Sequence, residues 1–154
     1  MQESIEIVPF TEQYKLNFRD LNVAWLQQYF SVEPIDEEIF ANPQHYILDN
    51  GGHIFFAKYS DNIVGTCALI KKPDGDVELA KMAVEERVQG RGIGQALLEA
   101  AIAKAIEMGL TRLMLYSNTK LEPAIHLYKK YGFKEVPLDS TGYKRSNIKM
   151  EKSL

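Results

Sequence analysis

A glycine-rich segment at Gln89–Gly94, with the sequence QGRGIG, has the residue types and spacing of a phosphate-binding loop. It follows a predicted strand and precedes a predicted helix. Successive glycines let the backbone turn tightly and approach a ligand closely. The first turn of the following helix adds unpaired amide groups and the positive end of the helix dipole, which attract anions. The segment therefore predicts a phosphate site, to which Arg87 and Arg91 can add positive charge.

The residues around these glycines narrow the kind of phosphate ligand. A Walker loop requires G-x-x-x-x-G-K-[ST], and no Lys-Ser or Lys-Thr pair directly follows these glycines. A dinucleotide fingerprint requires G-x-G-x-x-G; Gly90 and Gly92 match it, but Gln95 stands at the third glycine position. That fingerprint also opens a parallel βαβ unit near the start of its fold, which is not the order predicted here. A plain tight turn remains the alternative to a binding loop.

A second motif further along the chain makes the prediction more specific. Ala124–Phe133, with the sequence AIHLYKKYGF, resembles the A-x-x-L-Y-x-x-x-G-F motif of the GNAT superfamily of N-acetyltransferases. The glycine loop resembles that family's Q/R-x-x-G-x-G/A pattern, and Met82–Val84 resembles its fourth strand. The two motifs stand in the family's order, separated by a helix and a strand. The first third of the chain carries no such motif and resembles the family only in element order.

The resemblance implies an acetyl-CoA site. In the family the loop amides bind the pyrophosphate, and pantetheine pairs with the fourth strand as an added strand would, which an unpaired strand edge permits. The family often has an asparagine near the cofactor after the fifth strand. Asn118 resembles it, although its spacing to Ala124 is longer than the family's, and a turn asparagine suits this position equally well. The implied cofactor contacts are Met82, Ala83, Val84, Gln89, Gly90, Arg91, Gly92, Ile93, Gly94 and Asn118.

Tyr128 is the candidate proton donor, because it resembles the family's general acid. A tyrosine with an ordinary pKa of about 10 keeps its proton at neutral pH and can give it to a departing thiolate. The alternative is a packing role, since Ala124, Leu127 and Tyr128 recur at helical spacing.

Glu78 is the candidate proton acceptor, because it resembles the glutamate that some family members use as a base. Strand alternation predicts that Glu78 shares a face with Met82 and Val84, whereas Lys81 lies on the opposite face. Two alternatives remain: the proton leaves through water, or Glu78 is a strand glutamate that faces solvent or pairs with a lysine.

The acceptor amine is expected to contact the segments that vary among proteins of this fold, residues 25–52 and 137–146. A glutamate there can hold an ammonium group, and an arginine can hold a carboxylate. This would suit an amino acid or another small amine. The candidates are Tyr29, Glu33, Tyr143 and Arg145.

A framework of strands and helices has to position these residues. Periodicity and turn residues predict strands at Ser4–Val8, His53–Tyr59, Ile63–Lys71, Val77–Val84, Leu113–Tyr116, Phe133–Val136 and Asn147–Glu151. Helices are predicted after an N-cap at Thr11, at Ile35–Phe40, from Ile93 to a C-terminal Gly109, and at Pro123–Tyr131, with Pro43–Gly52 as a loop. This order predicts an α/β (α+β) fold. With the resemblance, it is a GNAT-like mixed, mostly antiparallel sheet of about seven strands with helices on both faces.

Composition excludes several other classes of protein. The 154 residues, 45% hydrophobic and 25% charged, predict one domain over residues 1–154 and argue against disorder. A net charge of −3 predicts neither nucleic-acid binding nor binding to an anionic membrane. The single cysteine, Cys67, excludes an intramolecular disulfide, and the three histidines lack metal-ligand spacing, so no metal is expected. No targeting segment or membrane span is predicted, so we expect a soluble cytoplasmic protein, for which a homodimer is compatible with the family.

The sequence thus predicts an N-acetyltransferase that moves an acetyl group from acetyl-CoA to a primary amine of a small-molecule or amino-acid-like acceptor. Transfer would occur by direct attack in a ternary complex. Two alternatives remain: a CoA-binding sensor or interaction module without transferase activity, and a mononucleotide or phosphate binder that uses the same loop.

Overall fold

A computed structural model describes residues 4–138 and 143–154. The strands are β1 (Ile5–Pro9), β2 (His53–Tyr59), β3 (Asn62–Lys71), β4 (Val77–Val84), β5 (Arg112–Ser117), β6 (Lys134–Val136) and β7 (Ile148–Ser153). The α-helices are α1 (Lys15–Tyr29), α2 (Pro34–Ala41), α3 (Ile93–Glu107) and α4 (Glu122–Lys130). In this part of the chain no helix is long and apolar enough to cross a bilayer.

The strands form one sheet in the order β1-β2-β3-β4-β5-β7-β6. Each neighbouring pair is antiparallel except β4 and β5, which are parallel. The tight turns between β2, β3 and β4 produce the antiparallel half, because strands joined by short turns run in opposite directions. The long connection through α3 lets β5 return parallel to β4. The predicted mixed, mostly antiparallel sheet is confirmed.

Each face of the sheet carries a separate apolar core. On one face α3 and α4 cover a cluster that includes Leu97, Leu115 and Phe133. On the other face α1 and α2 bury Phe18 and Phe40, whose rings meet edge to face at 5.6 Å. Helices therefore cover both faces, as the sequence predicts.

Two local predictions are wrong. Residues Pro43–Gly52 are not simply a loop, because Gln44–Leu48 forms one turn of π-helix around the fully buried Ile47. Thr11 does not cap α1: it precedes a short 3₁₀ turn, Glu12–Tyr14, and its side chain makes no capping hydrogen bond. Both elements are single turns, and tertiary packing overrides local preferences most easily in elements of that length.

Candidate functional site

The functional cleft opens where β4 and β5 separate. These strands pair only at Glu78 and Met114, and beyond that position they share no ladder pair. Over the rest of their length β4 is paired to β3 and β5 to β7, so the two edges that face each other keep unpaired backbone groups. A cleft of about 830 Å³ fills the gap. Its walls come from β4, the β4–α3 loop, the C-terminal turn of α1, α4 and residues 143–146.

A β-bulge in β4 decides which side chains face which core. Thr66 pairs with Ala83 and Ala68 with Ala80, so Lys81 and Met82 together oppose Cys67. Lys81 has a φ of +57°, a left-handed conformation that is rare for lysine in a strand.

The bulge overturns the predicted sharing of faces along β4. Met82 and Val84 pack against the core under α3, whereas the Lys81 ammonium reaches Asp36 of α2. The Lys81 charge also acts to lower the pKa of Glu78. Glu78 therefore shares a side with Lys81 and not with Met82. The reason is that one extra residue in a strand reverses the alternation beyond it.

The β4–α3 loop has the geometry of an anion-binding nest. Gly90 and Gly92 have φ values of +82° and +83°, and an added Cβ at either would meet no atom within 4 Å. Within the described residues, none of the amide groups from Gly90 to Gln95 donates to a backbone carbonyl. These donors lie in the loop and the first turn of α3, where the helix dipole is positive. The loop is therefore suited to bind phosphate through its backbone.

The neighbouring polar side chains contribute less directly. The Arg91 guanidinium donates to the Tyr59 hydroxyl at 3.0 Å, and the Gln89 amide donates to the Val84 carbonyl at 3.4 Å. Arg87 is paired with Glu85, so its charge is already partly balanced. Arg91 stays exposed beside the loop and is the cation better placed to meet a bound phosphate.

Tyr128 lies on α4 and lines the cleft. Its ring packs edge to face against Phe133 at 5.9 Å, and its hydroxyl has no hydrogen-bond partner among the described residues. Burial raises the pKa of Tyr128 to about 12, so the phenol stays protonated at neutral pH. This protonated side chain can donate a proton within the cleft.

Glu78 lines the same cleft and is almost fully buried. Burial is the largest influence and raises its pKa, while the charges of Lys72 and Lys81 act in the opposite direction. The Lys72 ammonium donates to the carboxylate at 3.3 Å. A carboxylate whose pKa is raised is a better proton acceptor than an ordinary one.

Asn118 also lines the cleft, but its polar atoms contact the protein. Its amide donates to the Arg145 carbonyl at 2.8 Å, and its carbonyl oxygen accepts from the Lys120 amide at 3.0 Å. The side chain therefore fastens the β5–α4 loop to the segment before β7. A direct contact between Asn118 and a cofactor stays a prediction.

Sequence reasoning missed a buried ionic cluster beside Glu78. The Lys81 ammonium donates to Asp36 at 2.6 Å, and Arg145 donates to both oxygens of Asp36 at 2.8 and 3.0 Å. Although burial acts to raise it, Arg145 and Lys81 lower the pKa of Asp36 to about 2. Glu33-Pro34-x-Asp36 carries a visible signal only for a helix start, where Glu33 and Asp36 form a capping box.

This cluster also includes the two charges predicted to bind the acceptor. Arg145 donates to Glu33 at 3.0 Å. The residue predicted to bind the acceptor's carboxylate is therefore paired with the residue predicted to bind its ammonium group. The structure does not support that assignment. Tyr143 lies at the same place, its ring 4.5 Å from both the Lys81 ammonium and the Arg145 guanidinium carbon. Residues 139–142 of the predicted acceptor segment lie outside the described residues.

Comparison with known proteins identifies relatives of this chain. The family model described as "Acetyltransferase (GNAT) family" matches residues 15–133. An "uncharacterized N-acetyltransferase" of Mycobacterium tuberculosis strain H37Rv is 36% identical over 89 residues, which span 58% of this chain and 57% of that relative's length.

Solved structures share the fold at lower identity. An acetyltransferase of the GNAT family from Staphylococcus aureus superposes with a TM-score of 0.86 at 23% identity, covering 97% of this chain and 99% of the other. A GNAT family acetyltransferase from Elizabethkingia anophelis, solved with acetyl-CoA bound, superposes with a TM-score of 0.73 at 24% identity, covering 99% and 100%.

Proposed function

The chain belongs to the GNAT acetyltransferase family, and we propose that it transfers an acetyl group from acetyl-CoA to the primary amine of a small-molecule acceptor. The observation that carries this proposal is the nest of unpaired amides from Gly90 to Gln95, placed directly beside the open edge of β4. The acetyl-CoA bound to the relative from Elizabethkingia anophelis supports the same ligand here.

The residues present fit acetyl-CoA. The nest provides donors for a pyrophosphate, and the empty space at the Gly90 and Gly92 Cβ positions leaves room for a ligand against the backbone. The unpaired edge of β4 at Met82–Val84 offers backbone partners to the two amides of a pantetheine arm. When bound, acetyl-CoA supplies an activated thioester carbonyl to the amine.

Glu78 and Tyr128 would handle the protons on either side of the transfer. The Glu78 carboxylate accepts the proton that the ammonium must lose, directly or through water. The Tyr128 hydroxyl donates to the departing sulfur. Because both side chains line one cleft, we propose direct transfer in a ternary complex, with positioning as the main source of rate.

Thermal denaturation with acetyl-CoA, CoA and ATP, followed by an assay of CoA release with a panel of amines, tests the proposal. A ligand at about 100 times its Kd stabilises the fold by about 2.7 kcal/mol, enough to raise Tm by several degrees. We expect a shift with both CoA species, none with ATP, and CoA release with amines. A shift without release from any amine would indicate a CoA-binding module, and no shift would overturn the proposal.

A further inference from the structure

The charged side chains at one end of the cleft bind one another. This end, the acceptor half, is lined by Glu78, Lys81, the C-terminal turn of α1, residues 118–121 and residues 143–146. The cations Lys81 and Arg145 both bind Asp36, whose side chain is fully buried, and Arg145 also binds Glu33. The two positive and two negative charges cancel. A substrate carboxylate that drew Arg145 away would leave a buried Asp36 short of its partner, which is strongly unfavourable.

Lys120, a further cation in the acceptor half, is also engaged. Its ammonium donates to the Tyr29 carbonyl at the end of α1 at 3.0 Å and lies 4.2 Å from the centre of the Phe30 ring. A cation at a helix C-terminus is favoured by the helix dipole. The contact joins the end of α1 to the β5–α4 loop, and both line the cleft.

Glu78 differs from the other charges because its pairing is weak. Among the described residues its one ion pair is with Lys72, at 3.3 Å, and the Lys72 side chain is 33% exposed. An ion pair that one partner shares with water contributes little. Glu78 is therefore the anion best able to accept an ammonium group.

Aromatic side chains form the wall that Lys120 holds in place. Trp25, Tyr29 and Phe30 all line the cleft, and the Trp25 ring lies 5.4 Å from Tyr29 and 5.9 Å from Phe30. Each is only partly buried, so apolar surface remains open to a ligand. Such a wall stabilises a bound ligand that has a flat aromatic or an alkyl group, because binding buries apolar surface.

We propose that the acceptor is a primary amine with an aromatic or alkyl body and without a carboxylate next to the amine. This inference rests on the proposed acetyl transfer and narrows its substrate class. Glu78 receives the amine, the aromatic wall holds the body, and the neutralised Asp36 cluster provides no cation for a carboxylate. α-Amino acids are therefore poor acceptors.

A matched set of acceptors tests the proposal: phenethylamine, L-phenylalaninamide and L-phenylalanine, which share one ring. The expected kcat/KM for L-phenylalanine is lower than that for phenethylamine by about 100-fold or more, because the cations that the described residues bring to the acceptor half are already engaged by the protein. L-Phenylalaninamide, which has similar bulk and no carboxylate, is expected to lie within about tenfold of phenethylamine. Equal or better turnover of L-phenylalanine would overturn the proposal, as would CoA release with another amine class but with none of these three.

Variants of the aromatic wall test whether it binds the apolar part of the acceptor, and the Kd of CoA shows whether the variant is still folded. Trp25→Leu and Tyr29→Leu are each expected to raise KM for phenethylamine about tenfold and to leave the Kd of CoA unchanged. Tyr46→Leu, an aromatic change outside the cleft, is the matched control and should alter neither value. An unchanged KM in both wall variants would contradict the proposal.

Glu33→Gln tests the charge balance. It keeps the size of the side chain and an oxygen acceptor, but leaves the cluster with one excess positive charge. The preference for phenethylamine over L-phenylalanine should shrink about fivefold; an unchanged ratio would argue against the role of the cluster. If CoA does not raise the Tm of the native protein, the proposed acetyl transfer itself is wrong.

Discussion

The two halves of the cleft are formed by different groups, backbone amides in one and side chains in the other. The cofactor half uses backbone amides of consecutive residues, Gly90 to Gln95, and the edge of one strand. The acceptor half uses side chains from α1, β4, the β5–α4 loop and the segment before β7, and Asp36 of α2 pairs with two of them. A backbone site depends on a few local conformations, whereas a side-chain site depends on the packing of the whole fold. Mutations should therefore damage the two halves in different ways.

The largest effect is expected from Asp36→Ala in the acceptor half. The change removes the carboxylate that binds both Lys81 and Arg145 and leaves Lys81 buried without its partner. The free energy of unfolding should fall by about 3–5 kcal/mol, as measured by urea denaturation. Glu37→Ala on the same helix is the control, because its exposed pair with Arg19 at 3.5 Å should contribute about 0.5 kcal/mol or less. Equal losses in both variants would contradict the assigned importance of the cluster.

The same carboxylate predicts how stability depends on pH. Its pKa falls from an ordinary 3.8 to about 2 on folding, so its contribution is complete above the unfolded value and is lost as the pH falls toward 2. Asp36→Asn should flatten that acid-side loss. A stability profile identical to that of the native protein would show that Asp36 is not the group responsible.

Tyr128→Phe should separate chemistry from cofactor binding. The variant keeps the ring packed against Phe133 but removes the proton that burial holds on the phenol. We expect kcat to fall about 100-fold, with little change in the Kd of CoA measured by calorimetry. If kcat does not change, Tyr128 packs the cleft without donating a proton.

Gly92→Ala should weaken the cofactor half through backbone strain. The φ of +83° is unfavourable for alanine, but no neighbouring atom obstructs its methyl group. The Kd of acetyl-CoA should rise about tenfold, because the strained loop no longer presents its amides together. Gly75→Ala is a close control: its φ is +94°, its Cβ position is equally open, and it lies in a turn away from the cleft. Similar changes in Kd for both variants would contradict a role for the loop amides.

The smallest effect is expected on the pH dependence of kcat/KM, to which Glu78 should contribute. Burial raises the pKa of Glu78, and a carboxylate accepts a proton only when ionised, so kcat/KM should fall as the pH drops through that raised pKa. Glu78→Gln should lower the rate and remove this acid limb, and Glu78→Asp should restore part of it. An acid limb that is identical in Glu78→Gln would favour water as the acceptor of the proton.

The sequence by itself determined the parts of this protein that depend on neighbouring residues. Gly90 and Gly92 were recognisable because glycine is needed there for the local backbone conformation alone. The order of the strands along the chain followed from turn residues and periodicity. The Ala124–Phe133 motif placed Tyr128 on a helix, where the structure has it on α4 beside the cleft.

Only the tertiary structure decided how the acceptor half is arranged. The partners Asp36 and Lys81 are 45 residues apart, and Asp36 and Arg145 are 109 apart, so no local pattern connects them. The bulge at Lys81 arises from the pairing of β4 with β3, and it moves Glu78 and Lys81 to one side against the simple alternation. Backbone conformation is largely a local property, whereas the partner of a buried charge is whichever group the packed fold brings within reach.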